Sequence, residues 1–152
     1  MAKPRTISLG RLGDALGFRL RRVQNKLSRD FERRSAGWDL RQGMFSALEI
    51  IRANPGISQT DVAREIGMDK SLAVTLITDL ERREWAVRER SSTDRRQYRL
   101  TVTAKGESVL EALVSNLLHV EELGLAALGE REREVLMQAL DKVYRAYVRP
   151  RA

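Results

Sequence analysis

Cysteine is absent from the 152 residues, and histidine occurs once, at His119. The first absence removes disulfides, thiol redox sensing, thiolate catalysis and cysteine–zinc sites together. A lone histidine gives no basis for a histidine-rich metal site within one chain, and little general-base chemistry near neutral pH. Glycine-rich phosphate loops, metal-ligand clusters and Ser/His/Asp spacings are missing too, so no catalytic residue, cofactor or metal is expected. Long apolar runs are equally lacking. The N-terminus, MAKPRTISLGRLGDALG, has no signal-peptide core, and no segment could span a bilayer. The expectation is a soluble, cytoplasmic protein with no membrane partner.

Charge is what the chain has in quantity. Its 28 basic and 21 acidic side chains give a formal net charge of +7, a bias toward polyanions such as nucleic acid. The excess is local: residues 1–35 hold 10 basic side chains against 3 acidic, and residues 69–102 hold 8 against 6. The length suits one domain, or a core with long flanking helices.

Apolar residues at Leu9, Leu12, Leu16, Leu20, Val23, Leu27 and Phe31 recur at steps of three and four, one stripe of a long helix that Ser35-Ala36-Gly37 ends. Asp39 is placed to cap a second helix with a stripe at Leu40, Met44, Ala47, Leu48 and Ile51, stopped by Asn54-Pro55-Gly56. Ser58 and Asp61 form a near-capping box for a short helix that Gly67 closes. Asp69 caps the next helix, which reaches about Arg83 and buries Leu72, Ala73, Leu76, Ile77 and Leu80. Two helices about a glycine turn are a helix-turn-helix pattern. Residues 86–90 and 97–102 then read as two strands around a polar tip, Ser91 to Arg96. Thr103 caps a long helix, and a last one starts near Glu130 with Leu136, Leu140, Val143 and Tyr147 on its stripe.

A helix-turn-helix followed by a hairpin is a winged helix, whose second helix enters the DNA major groove while the hairpin reaches the adjacent backbone and minor groove. Lys70, Ser71, Val74, Thr75 and Thr78 face outward on that helix, and short polar groups beside methyls suit base edges and thymine methyls. Ser58, Gln59 and Thr60 open the preceding helix, where free N–H groups and hydroxyls hold phosphate. At the wing, Arg90, Asp94, Arg95 and Arg96 complete the set. Either of the adjacent arginines suits a narrow minor groove or a phosphate, with Asp94 positioned to hold the other as a bidentate pair.

The stretches NPGISQTDVAREIGMDKSLAVTLITDLERREW and DRRQYRLTVTAKG resemble the MarR family of bacterial transcription regulators. Asp94, Arg96, Leu100, Val102 and Thr103 match its wing signature. Two departures stand out: Glu84-Trp85 occupy the place of a helix-ending glycine, and Thr75 stands near a position where many relatives carry arginine. The resemblance implies a mainly α fold with a small β-wing, a winged helix-turn-helix (residues 36–102) flanked by long N- and C-terminal dimerisation helices (1–35 and 103–152). It further implies a homodimeric repressor on a palindromic double-stranded operator, released by a small organic effector.

Without cysteine to oxidise, that effector would be an aromatic carboxylate, a phenolic compound or a coenzyme A thioester. Phe18, Arg19, Arg22, Trp38, Met44, Phe45, Leu48 and Leu117 are its candidate contacts, with Arg19 as a carboxylate clamp at the edge of the first stripe. The alternative is a winged-helix protein-interaction module that has lost DNA binding. Such modules tend to lose the wing arginines and the polar recognition face, and this chain keeps both.

Overall fold

The computed structural model describes residues 7–90 and 98–148. Its elements are α1 (Leu16–Arg34), α2 (Met44–Ala53), β1 (Ile57–Ser58), α3 (Gln59–Glu65), α4 (Lys70–Arg82), β2 (Ala86–Arg90), β3 (Tyr98–Val102), α5 (Ala104–Leu125) and α6 (Glu130–Tyr147), with short 3-10 turns at Gly10–Asp14 and Ala36–Trp38. The protein is therefore mainly helical, with one antiparallel sheet of order β1-β3-β2. It divides into two units, residues 28–117 and residues 1–27 with 118–152.

The first unit contains the winged helix. Met44, Leu48 and Ile51 of α2 pack with Leu76, Ile77 and Leu80 of α4, with Trp85 and Leu100, and with Val109, Leu110 and Leu113 of α5. Burying each such aliphatic side chain is worth roughly 1.5–3 kcal/mol before entropy is counted. The start of α5 is fixed by Thr103, whose hydroxyl accepts from the Gly106 N–H at 3.0 Å and donates to the Glu84 carbonyl at 2.6 Å.

The second unit is different in kind. Among its described residues, Leu16, Leu20 and Val23 of α1 and Val135, Met137, Val143 and Tyr147 of α6 are all exposed. Neither α1 nor α6 buries a single residue. Polar bonds do hold the start of α6: Glu132 accepts from the Gly129 N–H at 2.9 Å, and Arg133 grips Glu122 through two bonds of 2.9 and 3.0 Å. Among the described residues, Leu16, Leu20 and Val23 of the first stripe and Leu136, Val143 and Tyr147 of the last are left exposed.

Local differences from the sequence expectations have identifiable causes. The first stripe does not form one continuous helix from Leu9; a 3-10 turn ends at Asp14, Ala15 is extended, and α1 starts at Leu16. Asp39 does not cap α2. It sits in the left-handed region at φ 46°, and α2 begins at Met44 behind Gly43 at φ 85°. Arg83 accounts for this displacement. Its guanidinium donates to the Trp38 carbonyl (2.8 Å), the Asp39 carbonyl (2.9 Å) and the Asp39 carboxylate (3.2 Å), which draws Asp39 away from α2. Asp69 occupies the N-cap of α4 in extended conformation without a side-chain cap bond. Strand β1 was not expected; its two residues pair with Leu100 and Arg99.

Candidate nucleic-acid interface

Helix α3 starts as expected, at Ser58. The hydroxyl accepts from the Asp61 N–H at 3.1 Å and donates to the Asp61 carboxylate at 2.7 Å. That bond is the main reason the Asp61 carboxyl lies below its ordinary pKa, with Arg64 adding to the effect. Because both hydrogen-bonding functions of Ser58 are engaged in the cap, half-buried Gln59 and exposed Thr60 are the more available polar groups at this end. Gly67 makes the turn into α4 at φ 67°, a conformation that a Cβ would strain.

Helix α4 presents Lys70, Ser71, Val74, Thr75 and Thr78 to solvent. Ala73, Leu76, Ile77 and Leu80 are buried as expected, but Leu72 is not: it is 57% exposed. At 100° per residue, Leu72 lies a quarter-turn from the centre of the buried stripe, on the edge that Asp79 closes nearly two turns later. The hydroxyl of Thr75 donates to the Ser71 carbonyl at 3.2 Å, leaving its γ-methyl as the free end of the side chain.

Asp79 was not singled out in the sequence and proves central to how α4 is held. It is 4% exposed. Its carboxylate accepts from Arg82, lies 3.4 Å from Arg83 Nε, and lies 3.6 Å from Arg41 Nε on the segment leading into α2. Burial pushes its pKa up, but the Arg82 hydrogen bond and the charges of Arg83, Arg41 and Arg82 outweigh burial and leave it below the ordinary value. Arg83 also lies 5.1 Å from the ring centre of Trp85, which meets Trp38 edge-on at 6.2 Å. The spacing of an acid with arginines three and four residues later was the available sequence signal.

The chain leaves α4 through Glu84, which takes φ 62° where glycine would be at ease. The Trp85 N–H still reaches the Leu80 carbonyl (2.9 Å) and the Glu84 N–H the Glu81 carbonyl (2.8 Å), closing the helix end. Lys105 bonds the Glu84 carboxylate at 2.8 Å and lowers its pKa. Strand β2 then pairs with β3 from Ala86↔Val102 to Arg90↔Tyr98. Arg88 ties this wing back to α4, 2.9 Å from the Glu81 carboxylate and 5.5 Å from the centre of the Tyr98 ring. Arg90 is exposed at the wing's outer end, whereas Asp94, Arg95 and Arg96 lie outside the described residues.

The effector candidates separate into distinct settings. Met44 and Leu48 are fully buried in the winged unit's core, so their side chains are committed to packing. Phe45 packs on Phe31 at 5.3 Å between ring centres, and Trp38 and Leu117 are half-buried. In the other unit Phe18 is half-buried, while Arg19 and Arg22 are exposed. Arg19 Nε donates to the Gly13 carbonyl, and its guanidinium is 3.9 Å from Asp14.

A helix-turn-helix braced by a carboxylate–arginine cluster and followed by a two-stranded wing defines a winged helix, a class of domain built to place one helix against DNA. The MarR family model matches residues 42–97. A putative transcriptional regulatory protein for the hcr operon of Thauera aromatica is 33% identical over 137 residues, 90% of this chain and 82% of that one. The solved transcriptional repressor CouR, bound to a 23-mer DNA duplex, is 32% identical with a TM-score of 0.84, covering 93% of this chain and 100% of that one. CouR bound to p-coumaroyl-CoA is 29% identical with a TM-score of 0.80, again over 93% and 100%. The chain belongs to the MarR family of transcription regulators.

Proposed function

We propose that two copies of this chain bind a palindromic DNA operator as a repressor and release it when a small organic effector binds. One observation carries the reading: the outward side of α4, from Lys70 to Thr78, is open to solvent, beside a wing that Arg88 anchors to the same helix. Lys70, Ser71, Val74, Thr75 and Thr78 meet base edges in the major groove, and Gln59 and Thr60 meet phosphate at the start of α3, with Ser58 acting chiefly as the cap. Arg90, Arg95 and Arg96 take the flanking backbone or minor groove, with Asp94 restraining one of the two adjacent guanidinium groups.

Dimerisation rests on the large apolar side chains that α1 and α6 leave exposed, among them Leu16, Leu20, Val23, Val143 and Tyr147, the kind of surface that marks an interaction site. A second copy is the occupant that the family resemblance implies. The effector class is an aromatic carboxylate, a phenolic compound or a coenzyme A thioester, supported by the likeness to CouR bound to p-coumaroyl-CoA. Exposed Arg19 and Arg22 offer guanidinium groups for a carboxylate or phosphate beside Phe18 of the same unit, and Trp38, Phe45 and Leu117 are the aromatic and aliphatic candidates of the other unit.

The test is light scattering together with a thermal-shift screen of aromatic acids and their thioesters, repeated with promoter DNA present. The expected result is a dimer mass and a compound that stabilises free protein while loosening the complex. A strict monomer at micromolar concentration that ignores promoter DNA would overturn the proposal and favour a protein-interaction module.

A further inference from the structure

The residues of α4 that face outward include two large apolar side chains beside the polar ones. The helix contains no Asn or Gln, and its arginine, Arg82, is drawn to Asp79 at the far end. Apart from Lys70 at the first position, whose ammonium can meet guanine, the pairings by which Arg reads guanine and Asn or Gln reads adenine are therefore not available along the first two turns. What stands there instead is Leu72 at 57% exposed and Val74 at 41% exposed. They lie on either side of the ridge formed by Ser71, Thr75 and Thr78. Thr75 adds to the apolar character, since its hydroxyl proton goes to the Ser71 carbonyl and its γ-methyl is left free.

Leu72 is not among the buried residues of α4, whose apolar contribution to the core is Ala73, Leu76, Ile77 and Leu80. In a major groove the matching apolar group is the thymine 5-methyl, which only A·T pairs present. We infer that Leu72 and Val74, with the Thr75 methyl, read thymine methyl groups, and that this apolar contact selects A·T pairs at the positions those side chains face. The inference rests on the DNA-binding reading above and names what that reading leaves open, the base chemistry recognised.

The experiment uses the full-length protein and a duplex obtained from it by selection out of random DNA. Thymines of the selected site are replaced one at a time by deoxyuridine, which removes the 5-methyl and leaves pairing intact. At one or more positions in each half-site, affinity should fall about fourfold per methyl, the effect of returning one CH2-sized group to water. Leu72→Ala or Val74→Ala should weaken the thymine duplex by a similar factor and leave the deoxyuridine duplex little further affected. Because both side chains are exposed, the thermal midpoint of either variant should match the wild type, which separates lost recognition from lost folding.

Equal affinity for thymine and deoxyuridine duplexes would overturn the inference, as would variant and deoxyuridine losses that simply multiply. If selection enriches no sequence although binding falls with salt, the apolar readout fails while DNA binding stands. If no duplex binds at all, the DNA-binding reading fails and takes the inference with it.

Discussion

Gly106 at the start of α5 offers a sharp test of how the winged unit is assembled. A Cβ built there would lie 2.0 Å from the Trp85 carbonyl oxygen, 2.9 Å from the Trp85 carbonyl carbon and 2.7 Å from Val102 Cγ1. Ordinary contact begins well beyond 3 Å, and two of these three atoms are backbone, so Gly106→Ala forces α5 away from the β2–β3 hairpin. That displacement strains three linked features. The Thr103 N–H bonds the Trp85 carbonyl at 3.0 Å, Thr103 Oγ1 caps Gly106 at 3.0 Å, and Val109, Leu110 and Leu113 sit one to two turns further on in the core. Overpacking costs about 1–3 kcal/mol and a lost cap about 1 kcal/mol, for a total of roughly 3 kcal/mol against a typical total stability of about 5–15 kcal/mol. Urea denaturation at fixed protein concentration should show a clearly lower midpoint. Gly37→Ala is the control, with nothing within 4 Å of its Cβ, and it should change stability by less than about 0.5 kcal/mol. If Gly106→Ala and Gly37→Ala gave the same midpoint as the wild type, the close approach of α5 to Trp85 would be wrong.

Two further substitutions address the ends of α4. Glu84→Gly relieves a left-handed non-glycine residue but gives up the exposed ion pair with Lys105. Surface pairs of this kind contribute little, so the thermal midpoint should rise by a few degrees or hold steady; a fall would show that Lys105 matters more than the backbone conformation. Asp79→Asn should lower the denaturation midpoint at pH 7 by an amount corresponding to about 1.5–3 kcal/mol, the usual range for hydrogen bonds to charged groups. Asp79 is held below its ordinary pKa, so its stabilisation is fully present above the unfolded value of about 3.9. It is lost as pH falls through the lowered folded value. The gap between wild type and Asp79→Asn should therefore be constant above about pH 5 and close on acidification below about pH 4. A gap independent of pH would contradict the ionised cluster.

Much of this architecture was legible in the order of residues. The stripes on α2 and α4, Gly67 in the turn and the Ser58 and Thr103 caps each depend on spacing within one element, which sequence displays directly. What stayed hidden depends on contacts across the fold. Asp39 looked like a cap because its position relative to the next stripe was right; Arg83, 44 residues away, takes its oxygens instead. Leu72 was placed in the core by an apolar stripe drawn one residue too wide, and only its exposure in the fold corrects that. Gly106 read as the end of a motif, yet its small size is what lets a helix sit against a backbone carbonyl. Strand β1, two residues long, has no periodicity to detect.

The central claim, that α4 and the wing of paired chains grip a duplex through base edges and phosphates, is tested most directly by titrating promoter DNA into the protein at several salt concentrations. Arg90 and the wing arginines of two copies would neutralise roughly 4–6 phosphates, so log K should fall linearly with log salt at a slope of about −4 to −5. Arg95→Ala with Arg96→Ala should flatten that slope at unchanged dimer mass. A salt-independent affinity, or an unaltered slope in the double variant, would contradict the account.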